Sequence, residues 1–160
     1  ERVQLTPQPE RTAAPDPLYT YAFTVSADAV DLNGHVNNVK YVQWMQDVAM
    51  RHFDAMGGNQ PMDAVGATWV VRSHRIEYLR PAYEGDDVVI MTWVANLQRV
   101  RSQRRYKFFR KQDGSVLARG ETEWIFVDAS SGRPMRIPES VSERFCFLPD
   151  GEDPALPLGR

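Results

Sequence analysis

The stretch Asp31-Leu32-Asn33-Gly34-His35-Val36-Asn37-Asn38 gathers a carboxylate, an imidazole and three side-chain amides around one glycine. A carboxylate can attack an electrophile or take a proton from water, and an imidazole can donate or accept at neutral pH. A long apolar-periodic segment follows at once. Tyr41, Trp44, Met45, Val48, Ala49, Phe53 and Met56 recur with a helical period, which predicts a helix from Lys40 to Met56, ended by Gly57-Gly58. The start of such a helix offers unpaired backbone N–H groups and a partial positive charge, here near Val36 to Asn38. That is a place where an oxygen gaining negative charge can be held.

Each of these residues also has a plainer role. Asp31 is either the reacting acid or a turn former, and Asn33 either positions water and a carbonyl or closes an Asx turn. His35 either orients water and assists a leaving group or braces the loop. Asn37 and Asn38 suit helix capping, and Gly34 suits a backbone angle closed to other residues. Tyr41, Trp44 and Met45 line a channel or fill the core. His52 and His74 read as structural or surface histidines, and Glu77 and Glu84 as solvated acids. The run Arg99, Arg101, Arg104, Arg105 and Lys107 is either a solvated strand face or a grip for phosphates or an acidic partner.

A chain of 160 residues suits one domain, and a hydrophobic fraction of 42% supplies a core. The net charge of -2 argues against a nucleic-acid partner. No apolar run is long enough to span a membrane, and no secretory leader is visible. Cys146 is the only cysteine, which excludes an intrachain disulfide and leads us to expect a cytoplasmic location. Three histidines without a cysteine pair give no zinc-type spacing, so no metal is expected.

Four prolines, Pro7, Pro9, Pro15 and Pro17, mark residues 1–17 as an extended arm, and residues 149–160 read as a flexible tail. The domain between them covers residues 18–148. Strands are expected at Tyr19 to Ser26, Thr68 to Leu79, Asp87 to Val94, Arg101 to Lys111 and Val116 to Val127, with a short helix from Pro138 to Phe145. Asp113-Gly114 marks a hairpin. Short joins favour antiparallel pairing. The fold class is therefore α+β, an antiparallel five-stranded sheet wrapped around one long central helix. A second copy is expected to cover the other face or an edge.

The string Asp31-x-Asn33-x-His35-Val36-Asn37-Asn38-x-x-Tyr41-x-x-Trp44, with Arg80-Pro81-Ala82 and Gly85-Asp86 beyond it, resembles the hotdog-fold thioesterases. The likeness is to the branch with 4-hydroxybenzoyl-CoA thioesterase, bacterial acyl-CoA thioesterases and plant acyl-ACP thioesterases. The resemblance implies a hydrolase of acyl-CoA or acyl-ACP, with coenzyme A or carrier protein as part of the substrate and no further cofactor. It implies catalytic roles for Asp31, Asn33 and His35; on their own types and positions, Asn37, Asn38, Tyr41, Trp44, Arg99 and Arg101 are the expected substrate contacts. The uncovered sheet face or edge leads us to expect a homodimer or homotetramer. Where the plant enzymes carry an acid and a cysteine, this chain has Arg80-Pro81-Ala82 with neither, which favours a mechanism built on Asp31. Two other functions occur on the same fold. One is an enoyl-CoA hydratase or dehydratase, whose D-x-N-P-x-H pattern differs at Gly34 and in the histidine spacing. The other is a non-catalytic acyl-thioester-binding regulator.

Overall fold

A computed structural model describes residues 16–156. Strand β1 (Tyr19–Thr24) leads through a 3-10 turn at Ala27–Ala29 into helix α1 (Asn38–Ala55), then a short helix α2 (Asn59–Ala64). Four strands follow, β2 (Ala67–Tyr78), β3 (Asp87–Gln98), β4 (Arg101–Arg110) and β5 (Val116–Asp128), and then helix α3 (Glu139–Ser142). All strand pairs are antiparallel, in the order β1-β3-β4-β5-β2. The sheet wraps the 18-residue α1, as the hotdog resemblance implies. The residues 1–15 and 157–160, most of the arm and the end of the tail, lie outside the described residues.

Strand alternation builds the core. Tyr106 and Phe108 of β4 and Leu117, Ala118 and Phe126 of β5 are buried, as are Tyr41, Met45, Val48 and Ala49 on the facing side of α1. Gly120 lies where the helix crosses: a Cβ there would stand 2.9 Å from the Met45 sulfur, so the missing side chain makes room for the methionine. Gly57 ends α1 with φ +73°, the left-handed conformation that closes many helices. Gly58 has ordinary helical dihedrals, but a Cβ on it would overlap the Phe53 ring. Gly58→Ala should therefore destabilise the fold through overpacking, by about 1–3 kcal/mol, read as a lowered urea midpoint.

Two features depart from expectation. The helix α2 contains Pro61 and has no apolar period, so nothing in its sequence announces it; proline is tolerated there because it falls in the first turn. The outer face of β3 and β4 is covered in part by the chain itself. Leu148 and Leu156 pack on Val89, Met91, Trp93 and Phe109. Arg105 pairs with Asp150 at 2.8 Å, and Lys107 pairs with Asp153 and donates to the Pro154 carbonyl at 2.9 Å. Residues 149–156, expected to be flexible, thus form a strap.

Candidate functional site

The loop ahead of α1 is shaped by its own polar groups. Val30 and Val36 form an antiparallel bridge, and the Asp31 amide donates to the His35 carbonyl at 2.9 Å. One carboxylate oxygen of Asp31 accepts from the Asn33 amide at 2.9 Å, an Asx turn. Gly34 has φ +79°, which the tight reversal requires and a side chain would resist. Asn37 caps the helix by accepting from the Val39 amide at 3.0 Å.

Three anchors tie this loop to the body. Val36 is buried and donates its amide to the Ala82 carbonyl at 2.9 Å, and the Asn37 amide donates to the Ala29 carbonyl at 2.8 Å. The segment carrying Ala82 is braced by Arg110, which pairs with Asp86 at 3.1 Å and donates to the Pro81 carbonyl at 2.6 Å. These anchors change the expected oxyanion donors. The amides of Val36 and Asn37 are already engaged, and those of Val39 and Lys40 are taken by Asn37 itself. The amide of Asn38 is left as the donor at the helix start.

Beside this loop lies an open cleft of about 280 Å³, lined by His35, Asn38, Tyr41, Tyr78 and Arg80 among others. The Tyr78 hydroxyl donates to the Asn38 carbonyl at 3.2 Å, and the His35 ring meets the edge of Tyr83 at 5.3 Å between centroids. Asp31, Asn33 and His35 are all exposed, and of the three only His35 lines the cleft; Leu32 at the loop tip is fully exposed. Val39, Tyr78, Leu79 and Tyr83 add further exposed apolar surface at this end of the molecule.

The remaining expected residues divide. Tyr41 lines the cleft from within the core, where its ring meets Trp44, Tyr78 and Phe108; burial pushes its phenol up to about 12. Trp44 packs on Phe23 at 4.6 Å and does not line the cleft. Arg99 and Arg101 lie at the β3–β4 turn, the opposite end of the sheet, some ten strand residues and roughly 30 Å from the loop. Arg101 is paired there with Glu123 at 3.1 Å. Tyr78, Tyr83 and Arg80 were not among the expected site residues, because only the meeting of the end of β2 with the start of α1 brings them in.

The sequence over residues 25–145 matches the model of the thioesterase-like superfamily. No curated protein matches the chain. Among solved structures, the fold is similar to that of a 1,4-dihydroxy-2-naphthoyl-CoA thioesterase from Synechocystis. That pair shares 16% identity over 86% of this chain and 99% of the other, with a TM-score of 0.72. A Staphylococcus aureus protein in complex with CoA superposes with a TM-score of 0.74 at 20% identity, over 91% of this chain and 99% of that one. An acyl-ACP thioesterase from Bacteroides thetaiotaomicron gives 0.74 at 23% identity, over 87% of this chain and 58% of its own length. These likenesses establish the fold.

Proposed function

We propose, from the premise that this chain belongs to the thioesterase-like superfamily and is a thioester hydrolase, that it cleaves acyl-CoA or acyl-ACP with Asp31 as the essential group. The observation that carries the reading is the open cleft at the start of α1, which His35, Val36 and Asn38 of the loop line, with Asp31 and Asn33 on the same turn just outside its walls. Asp31 would act as base on water or as nucleophile, His35 and Asn33 would orient water and carbonyl, and the Asn38 amide would receive the oxyanion.

A second copy completes the proposed site. Strand β2 is the longer of the two sheet edges, 12 residues against the 6 of β1, and without a partner on one side among the described residues. Such an edge invites pairing. Two β2 edges joined antiparallel about a two-fold axis would put the start of one strand beside the end of the other. The Arg99 and Arg101 end of one chain would then come near the cleft of its partner, where cationic side chains suit the phosphates of coenzyme A or an acidic carrier. The reading includes a homodimer, with a homotetramer as its extension, and a cytoplasmic location.

Free-thiol release from a panel of acyl-CoAs and acyl-ACPs tests the activity. Release from at least one member is the expected result; hydration of an enoyl-CoA without thiol release would overturn the reading. Sedimentation velocity should give a species of at least twice the chain mass.

A further inference from the structure

Among the described residues two cationic side chains are buried, Lys107 and Arg104. Lys107 meets a carboxylate, that of Asp153. Arg104, 4% exposed and in the middle of the sheet, has no carboxylate within ion-pairing distance among the described residues. Its Nη1 donates to His52 Nδ1 at 2.7 Å and to Thr92 Oγ1 at 3.2 Å, and neither acceptor carries negative charge. The His52 ring is stacked on Tyr19 at 5.1 Å, and burial together with the adjacent guanidinium holds the imidazole neutral. Guanidinium has five donors, and a carboxylate takes two of them side-on. Here only Nη1 has partners among the described residues, so Nε and Nη2 are left for such a pair. A buried charge without a counter-ion is costly, and proteins ordinarily pair it.

Arg104 also lines the wall of a cavity of about 450 Å³, between the second half of α1, α2 and the neighbouring end of the sheet. Its other walls include Phe53, Met62, Trp69, Trp124 and Phe145, with Ser102 beside the arginine. The size falls within the roughly 300–1,000 Å³ typical of small-molecule sites. The two other charged residues on the wall are engaged elsewhere: Arg51 lies over the Tyr21 ring at 4.4 Å, and Asp54 accepts from Asn59 at 3.1 Å.

We propose that this cavity binds a molecule with an apolar body and a carboxylate, and that the carboxylate pairs with the Arg104 guanidinium. The aromatic and thioether walls suit a hydrocarbon body, and a single guanidinium suits a singly charged group better than a chain of phosphates. Two sources offer this chemistry. One is the far end of a substrate acyl group, an ω-carboxyacyl thioester; the other is a free carboxylic acid. The substrate version rests on the hydrolase reading, and β2 connects the two sites. Thr68 and Trp69 at its start line the cavity, and Tyr78 at its end, with Leu79 just beyond, lines the cleft. Antiparallel pairing of two β2 edges would set the cavity of one chain beside the cleft of its partner.

The test uses the full chain and two readouts. Fluorescence of Trp69 and Trp124 is titrated with octanoate and with its neutral counterpart octanamide. Wild type should bind octanoate at least tenfold tighter, and Arg104→Met should abolish the difference. Arg104→Lys, which keeps the charge without the fork, should retain only part of it. Arg104→Met should fold, because replacing a buried charge by an apolar side chain of similar length is often neutral or stabilising; its thermal melt verifies this. Thiol release is then compared for suberoyl-CoA and octanoyl-CoA. A tenfold preference for suberoyl-CoA that Arg104→Met removes assigns the carboxylate to the substrate. Arg104-dependent octanoate binding without that preference assigns it to a free acid. If no thioester releases thiol yet octanoate still binds through Arg104, the hydrolase reading falls and the site stands. Equal binding of octanoate and octanamide by wild type, with no suberoyl preference, overturns the proposal.

Discussion

Asp31→Asn should lower kcat for thiol release by on the order of 10²-fold or more while leaving the fold intact. The variant is chosen for the loop it leaves undisturbed. An asparagine Oδ1 can accept from the Asn33 amide as the aspartate does, so the Asx turn and the reversal at Gly34 survive. The Val36 and Asn37 anchors do not involve the side chain at all. What is lost is the negative charge and its basicity, the one property that attack or water activation needs. The comparison is made at saturating substrate, with the thermal melt as control. A melt matching wild type together with full turnover would remove Asp31 from the chemistry and leave His35 as the nearest group able to handle a proton.

The second large effect concerns acid. His52 is 4% exposed, and burial first, then the Arg104 charge, lowers its pKa to about 3. An unfolded chain would protonate the same imidazole near pH 6.5. Below that value the unfolded state therefore binds a proton that the folded state refuses. Stability from this group is fully present above about pH 6.5 and declines as the pH falls towards 3, by about 1.4 kcal/mol per pH unit. His74, lowered by burial, adds a loss of the same sign. Urea midpoints measured at pH 7 and pH 5 should show the decline in wild type. His52→Gln, which keeps an acceptor for Arg104, should flatten it. An equally steep decline in the variant would show that other groups govern acid sensitivity.

Much of the fold was legible because its signals are local and periodic. The apolar stripe of α1 placed the helix to within two residues at its start, the difference arising because Asn37, not a residue nearer Lys40, supplies the cap. Alternation along β4 was enough to place Tyr106 and Phe108 inside. The same parity puts Arg104 on the inner face and Arg105 on the outer, so a run of five cations is not one surface. That signal was available, and the charge of the run obscured it. The cleft was less legible, since its Tyr78 and Arg80 walls lie some forty residues along the chain from the loop they face. The strap was invisible to composition: prolines and glycines suggest a loose tail, whereas Asp150 and Asp153 find cations whose outward orientation only the sheet defines.

That strap bears on how copies of the molecule can associate. It occupies the convex side of β3 and β4, so back-to-back stacking of two sheets there must first peel residues 148–156 away. The ion pairs that hold the strap are open to solvent on their acidic side, so added salt loosens them. Ionic strength thus acts on this chain as a latch on one face, weakening the ionic hold on the strap when raised.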